Sequence, residues 1–143
     1  MERPVRSVIE DQKPLTVSAD LTVAAAARLM KQHAKGAVLV TDEGRLTGIF
    51  TERDAVFRVI AVERDPAKTR IGEVMTANPR TISPDRPFGH ALHLMYEGGF
   101  RHLPVVDGSR PLGVVSSRDA LEPDLRQFIA DLDTRTHIAE ILG

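Results

Sequence analysis

The sequence contains no cysteine and no tryptophan, with only one tyrosine and five phenylalanines. Without thiols there can be no disulfide, zinc-thiolate centre or cysteine nucleophile. With so few aromatic rings, platforms on which unstacked bases could lie are scarce. Charge of one sign is missing too: 19 Lys and Arg face 20 Asp and Glu, a formal −1, with no long run of either. Neither nucleic acid nor an anionic membrane is therefore an expected partner. No stretch approaches the ~18 apolar residues of a membrane span. Met1-Glu2-Arg3-Pro4 opens no apolar signal region, so a soluble, unexported, cytoplasmic protein is expected. A G-x-S-x-G elbow and a Gly-rich phosphate loop with lysine are also lacking, and an enzyme is not expected.

What is present is a repetition. Gly48-Ile49-Phe50-Thr51-Glu52-Arg53-Asp54 returns 65 positions later as Gly113-Val114-Val115-Ser116-Ser117-Arg118-Asp119. Each copy reads as a strand entering a helix N-terminus, with a hydroxyl residue followed three places on by aspartate. Two readings stand side by side. The hydroxyl and the acid form a capping box, or the exposed N–H groups, hydroxyl and Arg meet phosphate while the carboxylate accepts from ribose hydroxyls.

The surrounding elements repeat in the same register. Residues 5 to 11 and Ile71 to Met75 read as lead-in helical turns, and Lys13 to Val17 and Asn78 to Ile82 as short extended pieces. Helices are expected to start at Ser18-Ala19-Asp20 and Ser83-Pro84-Asp85. Their apolar stripes are Val23, Ala26, Ala27, Met30 and Phe88, Ala91, Leu92, Met95, each at i, i+3, i+4, i+7. Gly36 to Val40 and Leu103 to Val106 read as buried strands. Turns at Thr41-Asp42-Glu43-Gly44 and Asp107-Gly108-Ser109 return the chain to Leu46–Phe50 and Leu112–Val115. From Thr51 a helix should run to about Val62. Identities such as Pro14/Pro79, Thr16/Thr81, Met30/Met95, Gly48/Gly113 and Asp54/Asp119 mark an internal duplication. Each half is too small to bury a core alone, so the halves should pair about a pseudo-two-fold axis.

Residues 122–143 lie outside the duplication. Pro123 suits a first helical turn, and Leu125, Phe128, Ile129 and Leu132 form a stripe that Ile138, Ile141 and Leu142 extend. The stripe packs on the module, on a second copy, or on another protein. His90 and His93, with Glu97, share a helix face opposite the core stripe and read as solvated.

Taken together, Lys13-Pro14-Leu15-Thr16-Val17, Asn78-Pro79-Arg80-Thr81-Ile82, Leu103-Pro104-Val105-Val106-Asp107 and the two Gly-apolar-apolar-(Thr/Ser)-x-x-Asp stretches resemble a tandem pair of CBS domains, a Bateman module. The resemblance covers about residues 5 to 121. It implies an α/β (α+β) fold of two β-α-β-β-α repeats, at residues 5–62 and 71–121 with a linker at 63–70, plus a C-terminal helical extension. It also implies a regulatory, ligand-sensing homodimer, with a further regulated protein as a possible partner. The ligands implied are adenosine-containing molecules: AMP, ADP, ATP, NAD or S-adenosylmethionine. One cleft would place Asp119 at the ribose, Ser116 and Arg118 near phosphate, and Val114, Lys13, Pro14 and Leu15 around adenine. The other would use Asp54, Thr51, Arg53, Ile49 and Asn78-Pro79-Arg80. Arg101-His102 occupy the family's phosphate-facing basic positions, where the first repeat has Gly36-Ala37; Leu39 likewise stands where the second repeat has Pro104. The resemblance therefore implies unequal clefts. The rival expectation is an interaction module with empty clefts, acting through its C-terminal helix.

Overall fold

The computed structural model describes residues 3–142, with side chains as far as residue 136. Helix α1 (Val5–Val8) is followed by β1 (Thr16–Val17), α2 (Val23–His33), β2 (Ala37–Asp42), β3 (Arg45–Thr51) and α3 (Glu52–Ala55). Helix α4 (Ile71–Val74) and β4 (Thr76–Ala77) lead into α5 (Phe88–Gly98), β5 (His102–Asp107) and β6 (Arg110–Ser116). A 3-10 turn over Ser117–Ala120 then opens into α6 (Leu121–Leu142). This is the expected mixed α/β architecture of two β-α-β-β-α repeats and a C-terminal helix. One sheet has the order β1-β2-β3-β4, with β1 parallel to β2 and the rest antiparallel. In the second sheet β5 pairs with β6, and the leading strand shrinks to one parallel bridge between Ile82 and Val105.

The repeats exchange their lead-in helices. Val5 and Ile9 are buried with Ile82, Phe88, Ala91, Leu94, Met95 and Leu103 of the second repeat. Ile71 and Val74 are buried with Val23, Ala26, Val38, Val40 and Phe50 of the first. Backbone bonds fix the exchange: Val5 N–H donates to Arg86 O at 2.8 Å and Ile71 N–H to Leu21 O at 2.8 Å.

The acceptors are free because Ser-x-Asp does not start a helix as expected. The Ser18 and Ser83 hydroxyls accept from the N–H of Asp20 and Asp85 at 3.2 and 3.3 Å, closing local turns. Helix α2 instead begins after Thr22, whose side chain accepts from Ala25 N, and α5 begins after Pro87. Ala27 is exposed in α2, and Leu94 joins the buried face of α5. The first hairpin turns at Glu43 (φ 51°) and Gly44 (φ 78°), leaving Thr41 and Asp42 in the strand. The helix expected from Thr51 to Val62 is α only to Ala55, then widens into a π turn over Val56–Ile60. Val59 stays in the core there, while Val56, Phe57 and Ile60 face solvent.

Both motif glycines are sites of close approach. A Cβ at Gly48 would run into the Met75 thioether and stand 3.0 Å from Thr76 O, blocking β4. One at Gly113 would lie 2.9 Å from Gln12 Oε1 and 3.0 Å from Ile9. Helix α6 is a single helix from Leu121. Its Leu125, Phe128, Ile129 and Leu132 are exposed. Ile138, Ile141 and Leu142 lie outside the residues whose side chains are described. Among the described residues no helix is long and apolar enough to cross a membrane.

Candidate functional site

The strand-to-helix junctions that end β3 and β6 each open onto a cleft. Cleft 1, about 620 Å³, is lined by Lys13, Pro14, Leu15, Val114, Ser116, Arg118, Asp119, Arg101 and His102, bringing together all the residues expected there. Cleft 2, about 800 Å³, is lined by Ile49, Thr51, Arg53, Asp54, Pro79 and Arg80, and again by Arg101 and His102. Asn78 is not among its walls. It holds the bend (φ 48°) that carries the chain away from β4, and its N–H donates to Thr47 O at 3.0 Å. The clefts share a partition of Glu52, Arg101 and His102. Arg101 is placed there by its carbonyl, which accepts from Ser117 N–H at 3.1 Å.

The two aspartates close capping boxes, yet differ in what remains available. Asp119 Oδ2 accepts from Ser116 N–H at 2.7 Å and from its hydroxyl at 3.5 Å. No donor reaches its Oδ1 among the described residues, and the side chain is half-buried at the cleft. Asp54 Oδ2 accepts from Thr51 N–H and hydroxyl at 3.0 and 3.2 Å, while Oδ1 lies 3.6 Å from Arg58 Nε. Asp54 is only 7% exposed. The cause is legible in the duplication: position 58 is Arg, whereas its counterpart is Pro123, which offers no donor. Capping and ligand-facing chemistry thus coexist at Asp119, and Asp54 is committed to its own fold.

Gln12 escaped the sequence reading. Its side-chain amide donates to Val114 O and accepts from Val114 N–H, both at 2.9 Å. This reproduces along the edge of β6 the pairing that Thr76 gives Ile49 in the other half. Both backbone groups of Val114 are thereby occupied, and only its side chain is left to frame a ring. A lone glutamine beside the lead-in carries no sequence signal of this role. Leu121, Glu122 and Leu125 also line cleft 1, so the first turns of α6 belong to the site rather than outside it. His93 Nε2 lies 3.2 Å from Glu97 Oε1 on an exposed face.

Burial holds the His102 pKa below the usual 6.5. Glu52 pulls it upward, Arg101 pushes it further down and Asp119 pulls it up. The unfolded chain accordingly takes a proton at higher pH than the folded one. This contribution to stability is complete above the unfolded value and is lost as pH falls from about 6.5 through the folded value. We expect an NMR titration to place the imidazole below the free value, and His102→Gln to flatten the fall in melting temperature between pH 7 and 5. An imidazole titrating at or above 6.5 contradicts the assignment.

Comparison with known proteins agrees with this fold. The CBS domain model matches residues 5–61 and 71–124. The Arabidopsis thaliana CBS domain-containing protein CBSCBSPB1 is 42% identical over 109 residues, 75% of this chain and 20% of that protein. This chain thus spans about a fifth of that relative's length. A CBS-domain protein structure from Burkholderia ambifaria MC40-6 superposes with a TM-score of 0.80 at 32% identity, covering 87% of this chain and 95% of that one. The CBS domain pair of protein MJ0100, in complex with methylthioadenosine and S-adenosyl-L-methionine, gives 0.78 at 27%, covering 89% and 99%. On these matches the chain belongs to the CBS domain family, whose repeat it carries twice.

Proposed function

We propose that this chain is a regulatory module that senses an adenosine-containing ligand in cleft 1. In this reading residues 5–62 and 71–121 are the repeats, 63–70 their linker and 122–143 the output segment. The observation that carries the proposal is the free Oδ1 of Asp119, half-buried in a cleft about 620 Å³ in volume. It is a charged acceptor suited to ribose hydroxyls, with Pro14, Leu15 and the Val114 side chain as apolar walls for a purine. The methylthioadenosine and S-adenosyl-L-methionine held by the MJ0100 pair support the ligand class. Arg101 and His102 at the inner wall favour AMP, ADP or ATP over the uncharged nucleoside, and Ser116 and Arg118 stand at the same end. Thermal-shift titration with AMP, ADP, ATP, NAD, S-adenosylmethionine and adenosine tests this. A ligand at 100 times its Kd adds about 2.7 kcal/mol, and no shift with any of the six, on protein free of carried-over nucleotide, rejects the reading.

A second reading rests on Val56, Phe57 and Ile60 of the π turn and Leu125 and Phe128 of α6, all about half exposed or more. Positions 56 and 60 correspond to 121 and 125 by the duplication, so these apolar faces are pseudo-symmetric, and either one paired with its own copy across a two-fold axis would make a homodimer. Truncation after Gln127 keeps Glu122 and Leu125 in cleft 1 while removing the rest of α6. The sensor reading expects ligand affinity to survive this cut. The interaction reading expects loss of self-association or of a protein partner, measured by sedimentation.

A further inference from the structure

The two clefts differ in the charge they present. Beyond the shared partition, cleft 1 carries Asp119 and Glu122 against Lys13, Lys35 and Arg118. Cleft 2 carries Arg53, Arg58 and Arg80 against Asp54 alone. Asp54 is occupied by its capping box and by Arg58. Arg58 is occupied in turn, because its Nη1 donates to Val74 O and Met75 O at 3.1 and 3.0 Å. Three guanidiniums are left. Arg53 is stacked over Phe57, 5.4 Å from the ring centroid, with a weak bond to Gly99 O at 3.4 Å. Arg80 and Arg101 have no acceptor among the described residues. Forked guanidiniums suit bidentate contact with phosphate oxygens. Of the acids lining cleft 2 among the described residues, Glu52 is the one not already committed.

We propose that cleft 2 is a separate site for a di- or triphosphate group, recognised without a ribose, and that it shares Arg101 with cleft 1. The coupling rests on the nucleotide reading of cleft 1; the anion site does not. An anion in cleft 2 competes with the phosphates of a nucleotide in cleft 1 for Arg101, and leaves a bare nucleoside there undisturbed. The occupant is inorganic polyphosphate or a nucleotide's tail.

The test is calorimetric titration of the full chain with tripolyphosphate, adenosine and ATP, at two salt concentrations. Tripolyphosphate is expected to bind at one per chain. Arg80→Ala should weaken it about tenfold or more, the worth of one charge-assisted contact, leaving adenosine affinity unchanged. Saturating tripolyphosphate should weaken ATP and spare adenosine, and Arg101→Ala should weaken both anions. Displacement of tripolyphosphate by ATP from adenosine-saturated protein supports the site with a nucleotide tail as occupant; failure to displace supports it with free polyphosphate. One-for-one competition between tripolyphosphate and adenosine overturns the proposal, as does an affinity untouched by Arg80→Ala. A chain that binds tripolyphosphate but neither adenosine, AMP, NAD nor S-adenosylmethionine rejects the nucleotide reading and keeps this one, and the converse result rejects this one alone.

Discussion

Replacing Ile71 with alanine is expected to destabilise the whole chain by about 2–5 kcal/mol, the range for deleting a large aliphatic side chain from a core. Ile71 is fully buried, and it lies in the core of the first repeat although it opens the second. Its neighbours Val38, Val40 and Phe50 come from β2 and β3 and cannot collapse into the gap without bending the hairpin. Stabilities of single domains are about 5–15 kcal/mol, so the loss is a large part of the total. Urea unfolding should show one transition moved to lower concentration. Hydrogen exchange should accelerate in Ala37–Asp42 and Arg45–Thr51, strands that end well before the substitution. Acceleration confined to residues after 71, or a loss below about 1 kcal/mol, would contradict the exchanged packing.

The second large effect is on binding. Asp119→Asn keeps an oxygen for the Ser116 cap but removes the charge from the acceptor that faces cleft 1. Hydrogen bonds to a charged group contribute about 1.5–3 kcal/mol, so adenosine and ATP should each bind about 10- to 150-fold more weakly, with melting temperature little changed. Asp54→Asn should behave in the opposite way. Its carboxylate faces Arg58 and the Thr51 backbone in a buried setting, so stability falls while adenosine affinity holds. Calorimetry and thermal melts on the two variants separate these outcomes, and equal binding losses would mean that both clefts take the nucleoside.

Much of this was visible in the sequence because the duplication checks itself. A strand-turn-strand pattern read at Gly36–Phe50 is read again at Leu103–Val115, and both are found. The pairing of Lys13–Leu15 with the Ser116–Asp119 junction came from the family resemblance, and both line cleft 1. The exchange of Val5 and Ile71 between cores did not follow, because an apolar residue at a helical turn fits either core equally well. Ser18 and Ser83 misled for a related reason: a hydroxyl shortly before a helix suits a cap and a turn alike, and long-range acceptance by Leu21 and Arg86 decides between them. The inequality of Asp54 and Asp119 was written at Arg58 and Pro123, but only the folded chain brings Arg58 Nε to 3.6 Å from the carboxylate. Gln12 contributes a side chain where its counterpart contributes backbone, which no alignment of residue types reveals.

The crossed lead-in helices make the linker an unusual place to cut. A protease acting near Asp65-Pro66 would sever the covalent repeat boundary but not the physical one. The N-terminal fragment keeps Val5 and Ile9, whose burial needs Phe88 and Leu103, and the C-terminal fragment keeps Ile71 and Val74, whose burial needs Val38 and Phe50. Neither piece is complete, and each holds the other's missing wedge. A nicked chain should therefore stay together as a complementing pair, and the two halves expressed apart should be insoluble singly and fold when mixed.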